Sequence, residues 1–266
     1  MIEKVVDSME KKGSKVVIQS VERAIQILNC FRYAPELGVS EIAAELGLNK
    51  STAFGLINTL ATHGFLEQID HNKKYRLGVV LFEFGNLAIS RFDLRREAKE
   101  YCMPLAEKYG VEIHLASHSA GEVIYIDKFD RGDSLISSSN VGKRCPMHCT
   151  GVGKAMLAFL PESYLEQHIF SAPLVKLTEN TITDKALLLE ELENVRKSGV
   201  AIDREEIERG LSCVAAPVFN YEGTPQIAIS LSFPYGKIYE ANLDEVKTDL
   251  LQCTRTLSLR LSGRKG

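Results

Sequence analysis

The sequence predicts an α+β fold in two parts: a helical front closed by a small β-hairpin, and a rear domain in which helices flank an antiparallel sheet. Three observations carry this. Val39–His63 reads as two short helices around a tight turn. A short apolar strand, a polar turn and a returning strand follow at once. From Gly110 the apolar period changes from helical to alternating, which marks strands.

In order along the chain, residues 1–17 are polar, with Lys11, Lys12 and Lys15 close together, and read as a mobile, solvated arm. Ser20 is placed to cap a helix from Val21 to Phe31, with Val21, Ala24, Ile25, Leu28 and Phe31 marking its buried face. Pro35 and Gly38 break the chain. Ser40 is then placed to N-cap the next helix, with Glu41 in its opening turn. Ile42, Ala43 and Leu46 form its apolar stripe, and Gly47 supplies the left-handed residue that stops it.

Asn49 is placed as the N-cap of the second helix of the hairpin. Its Ala53, Leu56, Ile57 and Leu60 fall at i, i+3, i+4 and i+7. Lys50, Ser51, Thr52, Phe54 and Asn58 are left on the open side. Small hydrogen-bonding residues with one cation near a helix N-terminus suit entry into a DNA major groove. A helical hairpin buried in a core has the same pattern, so the flanks matter. Residues 65–69 predict a strand, 70–73 a turn and 74–77 its return. Three helices followed by such a hairpin make a winged helix-turn-helix. Lys73, Lys74 and Arg76 are its phosphate candidates; a solvated hairpin tip is the plainer reading of the same charges.

Val79–Arg91 predicts a linker helix with Leu81, Phe84, Leu87 and Ala88 on one face, more apolar than a solvated linker needs. A second helix, following three arginines between 91 and 96, runs to about Tyr109. Residues 111–119 and 122–129 then alternate like paired strands joined at Ala120-Gly121. A loop over 131–144 leads to a helix that Thr150 caps from Gly151. Helices at about 162–170 and 184–198, three strands and a helix from Glu240 to Leu259 complete an α+β, sensor-like domain. The expected boundaries are 18–78 for the winged helix-turn-helix, 79–96 for the linker helix and 97–264 for the rear domain.

Composition narrows the function classes. The first 100 residues carry 14 Lys/Arg against 13 Asp/Glu and the remainder 18 against 22, so a near-neutral front precedes an acidic rear within a net charge of −3. No apolar run reaches the roughly 18 residues that span a membrane, and no export signal begins the chain. The six cysteines have scattered spacings and read as reduced thiols of a cytoplasmic protein.

In the strand QIAISLSFP, alternation puts Ile227, Ile229, Leu231 and Phe233 on one face and Ala228, Ser230 and Ser232 on the other. Cys213 and Ala215 are small residues on one face of the preceding strand. Small side chains with hydroxyls either leave room for a ligand or permit close packing. The helix start at Gly151 offers free N–H groups suited to a carboxylate, and an ionised Asp203 would accept from a ligand hydroxyl.

SVERAIQILNCF, KSTAFGLINTL, HCTGVGKAMLAFL and DREEIERGLSCVAAPVF, occurring in this order, resemble the IclR-type (isocitrate lyase regulator) family of bacterial transcription factors over about residues 18–262. The resemblance implies a winged-helix DNA-binding domain, a linker helix and a GAF-like effector domain that binds small organic acids or aromatics. It also implies a homodimer, or a dimer of dimers, acting on a pseudo-palindromic double-stranded operator as repressor or activator. Family effector contacts fall on positions matching Cys145, Gly151, Val152, Asp203, Cys213, Ser230 and Ser232. One departure is Gly55, where members commonly carry arginine.

Other chemistries have weaker signals. Gly151-Val152-Gly153-Lys154 is not a phosphate loop, because His148 stands where the first glycine is required and Ala155 follows the lysine. Cys145, His148 and Cys149, with Cys213, have weak zinc-like spacing. Cys213 with His148 as base would make an enzyme, but Cys213 lies inside an apolar strand. No cofactor is expected. A protein-interaction winged helix is the remaining alternative for the neutral front.

Overall fold

The computed structural model describes residues 17–32, 34–90, 94–130, 141–234 and 236–262. The expected arm over 1–16, Arg91 and the loop over 131–140 lie outside the described residues. Contacts divide the chain into two compact units, the first ending at Phe92 and the second beginning at Asp93.

In the first unit, α1 (Gln19–Cys30), α2 (Val39–Glu45) and α3 (Lys50–Thr62) precede the antiparallel hairpin of β1 (Leu66–Gln68) and β2 (Tyr75–Leu77), then α4 (Val80–Ser90). Ile27, Phe31, Ile42, Ala43, Ala53, Ile57, Leu66 and Tyr75 form its core. The expected buried face of α1 is corrected in part: Phe31 is buried and Leu28 packs against the core as expected, but Val21 and Ile25 are exposed and Ile27 turns inward. Two caps are also corrected. α1 begins after Ile18 rather than Ser20, and α2 begins after Gly38 rather than Ser40. Glu41, at the third helical position, takes over the capping by accepting the Gly38 N–H at 2.5 Å. Asn49 does precede α3 with extended backbone, without a side-chain capping bond. Gly78 is needed for a close approach, since a Cβ there would lie 2.0 Å from the Gly64 carbonyl oxygen.

The second unit is built on α5 (Leu94–Tyr109), β3 (Glu112–Ser119), β4 (Glu122–Phe129), β5 (Arg144–Pro146), α6 (Gly151–Leu157), α7 (Glu162–His168), α8 (Lys185–Ser198), β6 (Ala201–Arg204), β7 (Leu211–Phe219), β8 (Pro225–Pro234) and α9 (Leu243–Leu261). The six strands form one antiparallel sheet in the order β5-β4-β3-β8-β7-β6. Its two faces bury different cores because β8 alternates. Ile227, Ile229, Leu231 and Phe233 pack with residues of α5 and α9, whereas Ala228 joins α6, α7 and α8 on the other face. β3 alternates in the same way, with Ile113 and Leu115 in the first core and Ala116, paired with Ala228, in the second. Small residues on that face let α6 lie close: a Cβ on Gly151 would sit 3.3 Å from the Ala215 Cβ. This is the α+β arrangement expected, with a helix-turn-helix in front and a GAF-like antiparallel-sheet domain behind.

Candidate functional site

The open face of α3 carries the residues that the sequence placed there. Lys50, Ser51, Phe54 and Asn58 are exposed and Thr52 is half-buried, while Ala53 and Ile57 anchor the opposite side. The Gly55 position faces open space, since a Cβ there would meet nothing within 4 Å. The wing brings three cations together on one hairpin, but two are already paired. Lys74 Nζ lies 2.9 Å from Glu41, and Arg76 Nε lies 3.0 Å from Glu67. The Gly38 N–H and the Lys74 ammonium hold the Glu41 carboxyl below the usual range, and Arg76 does the same for Glu67. Such exposed pairs exchange readily with other anions. Lys73 sits at the tip with a left-handed backbone.

In the second unit, one cavity is lined by all seven residues singled out for a ligand: Cys145, Gly151, Val152, Asp203, Cys213, Ser230 and Ser232. They arrive from β5, the start of α6, β6, β7 and β8. Antiparallel register accounts for much of this, because Asp203 pairs with Cys213, Cys213 with Ser232, and Ala215 with Ser230. Thr150 Oγ1 accepts the Gly153 N–H at 3.1 Å and fixes the start of α6. With only seven residues, α6 offers a ligand local N–H groups of its first turn rather than a long helix dipole.

The sequence reading missed His114, Tyr125, Lys143 and Glu208, which also line the cavity. Alternation in VEIHLASHS put His114 on the polar face, and its strand partner is Ser230. His114 Nδ1 lies 3.0 Å from Ser232 Oγ, and its Nε2 lies 3.3 Å from the buried Glu112 carboxylate. Ser232 Oγ also lies 3.3 Å from Cys213 Sγ, so this serine is engaged, whereas Ser230 makes no such bond among the described residues.

Burial governs the acids and thiols. It pushes Asp203 up to about 7, Cys149 up to about 12 and the Cys213 thiol further still. Burial thus holds Asp203 well above the usual carboxylate range. Cys213 is an inert thiol within β7, with no depressed pKa to make it a nucleophile. His148 Nε2 donates to the Val175 carbonyl at 3.0 Å. No group of three or more His, Cys, Asp or Glu residues suited to a metal occurs among the described residues. Beside the cavity, the wholly buried Lys154 reaches Glu206 at 2.5 Å, Glu191 at 3.2 Å and the Ile202 carbonyl at 2.7 Å.

Residues 86–259 match the family described as bacterial transcriptional regulator IclR C-terminal, and residues 20–70 match the IclR helix-turn-helix domain. This chain belongs to the IclR family. The HTH-type transcriptional regulator XynR of Escherichia coli is 37% identical over 246 residues, covering 92% of this chain and 98% of that one. The crystal structure of the Thermotoga maritima IclR is 32% identical, with a TM-score of 0.68 over 91% of this chain and 98% of that chain. An IclR homologue from Microbacterium hydrocarbonoxydans, solved in complex with 4-hydroxybenzoate, shares the fold with a TM-score of 0.78 at 22% identity, over 91% of this chain and 99% of that chain. The IclR-family chain is thus a DNA-binding transcriptional regulator rather than a cysteine-dependent enzyme. No described helix is long and apolar enough to cross a membrane.

Proposed function

We propose that this regulator is a homodimeric, cytoplasmic repressor that reads a pseudo-palindromic operator through α3 and its wing and answers to a small organic acid. The observation that carries the ligand half is the convergence of Cys145, Gly151, Val152, Asp203, Cys213, Ser230 and Ser232 on one cavity. A carboxylate bearing a hydroxyl or keto group suits its hydroxyls, N–H groups and carboxyl. The 4-hydroxybenzoate bound by the Microbacterium homologue belongs to that chemical class. Ligand binding acts by favouring one spacing or orientation of the two DNA-reading heads.

On the DNA side, Lys50, Ser51, Thr52, Phe54 and Asn58 face the groove, with Lys73, Lys74 and Arg76 meeting phosphates. Changing Lys50 and Thr52 to alanine together removes one cation and one hydroxyl from the open end of α3. Operator affinity should fall by about 1–3 kcal/mol, and the log–log salt slope should shrink by about 0.9. Fluorescence anisotropy on an operator duplex checks both, with circular dichroism confirming the fold. Full affinity in the folded variant would take α3 out of the interface.

Assembly rests on α4. Phe84 stacks on Phe65 at 5.7 Å yet stays 55% exposed, and Leu87 one turn along is also exposed. A contiguous apolar face of this kind marks a protein contact. Phe84→Glu should shift the protein from dimer towards monomer at micromolar concentration in sedimentation velocity. A wild-type monomer that still binds a two-half-site operator tightly would contradict the dimer.

A further inference from the structure

Asp203 differs from the other polar groups of the cavity in having one oxygen satisfied and one not. It is 1% exposed on β6. Its Oδ1 accepts the Glu206 N–H at 2.7 Å, while Oδ2 has no hydrogen-bond partner among the described residues. An ionised oxygen so placed would lack both water and a donor, which a buried charge tolerates poorly. A protonated Oδ2 would instead be a donor awaiting an acceptor.

Burial is the main influence favouring the neutral form and the Glu206 charge adds to it, against the Glu206 and Ile207 N–H groups and Lys154. On the loop after β6, Glu206 and Glu208 are acids. Lys154 of α6 is the nearby cation, but it is already shared between Glu206 and Glu191 of α8. An ionised Asp203 would be a third carboxylate on one ammonium. Cys213 of β7, Cys145 of β5, Cys149 before α6 and Tyr125 of β4 contribute groups that burial holds protonated. From β3, His114 is taken up by Ser232 and Glu112, the latter also bound by Lys128 of β4. Lys143, ahead of β5, is the remaining cation on the cavity wall. Burial accordingly lifts Asp203 to about 7.

Resting on the cavity assigned above, we infer that Asp203 receives the ligand as a neutral carboxylic acid, so that an anionic small acid binds with uptake of a proton. Oδ2–H donates to the ligand carboxylate; an ionised Asp203 would repel it. A free organic acid is anionic throughout the physiological range, so the proton comes from solvent and rests between the two carboxyls. The sign follows. Binding raises the Asp203 pKa above its free value, so affinity is level below about pH 7 and falls by up to about tenfold per pH unit above it. The fall stops once the pKa of the bound state is passed.

The test uses the full chain with 13C in its aspartate carboxyl carbons, the Asp203 signal being assigned by its loss in Asp203→Asn. Pyruvate, lactate and 4-hydroxybenzoate are the probes, and the Gly151 and Val152 amide signals report cavity occupancy independently. Without probe, the Asp203 carboxyl should titrate near pH 7. With a probe that moves the Gly151 and Val152 signals, its titration should rise, and Kd should weaken about fivefold between pH 7 and 8. Asp203→Asn, whose amide is a permanent donor, should lose that pH dependence. Titration in the ordinary carboxylate range near 4, or a titration lowered by a probe that occupies the cavity, overturns the proton uptake and leaves the cavity assignment standing. If no probe moves Gly151 or Val152, the assignment to small acids fails and the inference falls with it.

Discussion

Lys154→Met should destabilise the rear domain by about 3–5 kcal/mol, the cost of breaking a buried ion pair by removing one partner. The lysine is wholly buried, and its Nζ satisfies Glu206, Glu191 and the Ile202 carbonyl together. Methionine keeps most of the volume but leaves Glu206, itself 3% exposed, facing an apolar thioether. Because Glu206 also donates its N–H to Asp203, the damage should reach the cavity wall. Urea unfolding followed by far-ultraviolet circular dichroism measures the effect, since the chain has no tryptophan. Adding Glu206→Gln should restore part of the loss, because the orphaned charge is what costs most. A Lys154→Met variant as stable as wild type would show that the cluster contributes no net stability.

Ser230→Ala with Ser232→Ala should weaken small-acid binding by about 3–6 kcal/mol, the loss of two hydrogen bonds to a charged group if they act independently. The two sites are not equivalent. Ser230 lines the cavity without a side-chain bond among the described residues, so its removal subtracts ligand contact alone. Ser232 is bonded to His114 and Cys213, so its removal also releases the imidazole, and Ser232→Ala alone should perturb the ligand-free protein more. Calorimetric titration with 4-hydroxybenzoate and pyruvate, beside operator binding without ligand, separates the effects. Equal ligand affinity in wild type and double variant would put the pocket elsewhere, while a ligand-free operator affinity near wild type is the expected control.

Period carried the parts of the fold that were legible in the sequence. The alternation of β8 foretold two faces of different size, and the register with β3 and β7 then assembled most of the cavity lining. Thr150 was legible as a cap because its position and its residue type agree. Ser20 and Ser40 were misplaced because residue type alone does not say where the backbone leaves the helix. The Glu41 side chain made the Ser40 hydroxyl unnecessary. The face of α1 was misjudged in part because two overlapping apolar stripes satisfy one helical period, and only packing against α3 chooses Ile27. The Lys74 ion pair joins residues 33 positions apart, beyond any local pattern, whereas Arg76 pairs with Glu67 directly across the hairpin. Lys154 was read only to reject a phosphate loop, since its partners lie 37 and 52 residues away. The burial of Asp203 beside Glu206 is a tertiary property that no local pattern carries.

The most direct measurement of the central claim is selection of duplexes from a random library by the full chain, followed by anisotropy titration of the enriched duplex from about 50 to 200 mM salt. The account predicts enrichment of two inverted half-sites, a steep loss of affinity with salt, and release of the duplex by a small acid that occupies the cavity. No enriched sequence, together with affinity indifferent to salt, would contradict it and favour a protein-interaction winged helix.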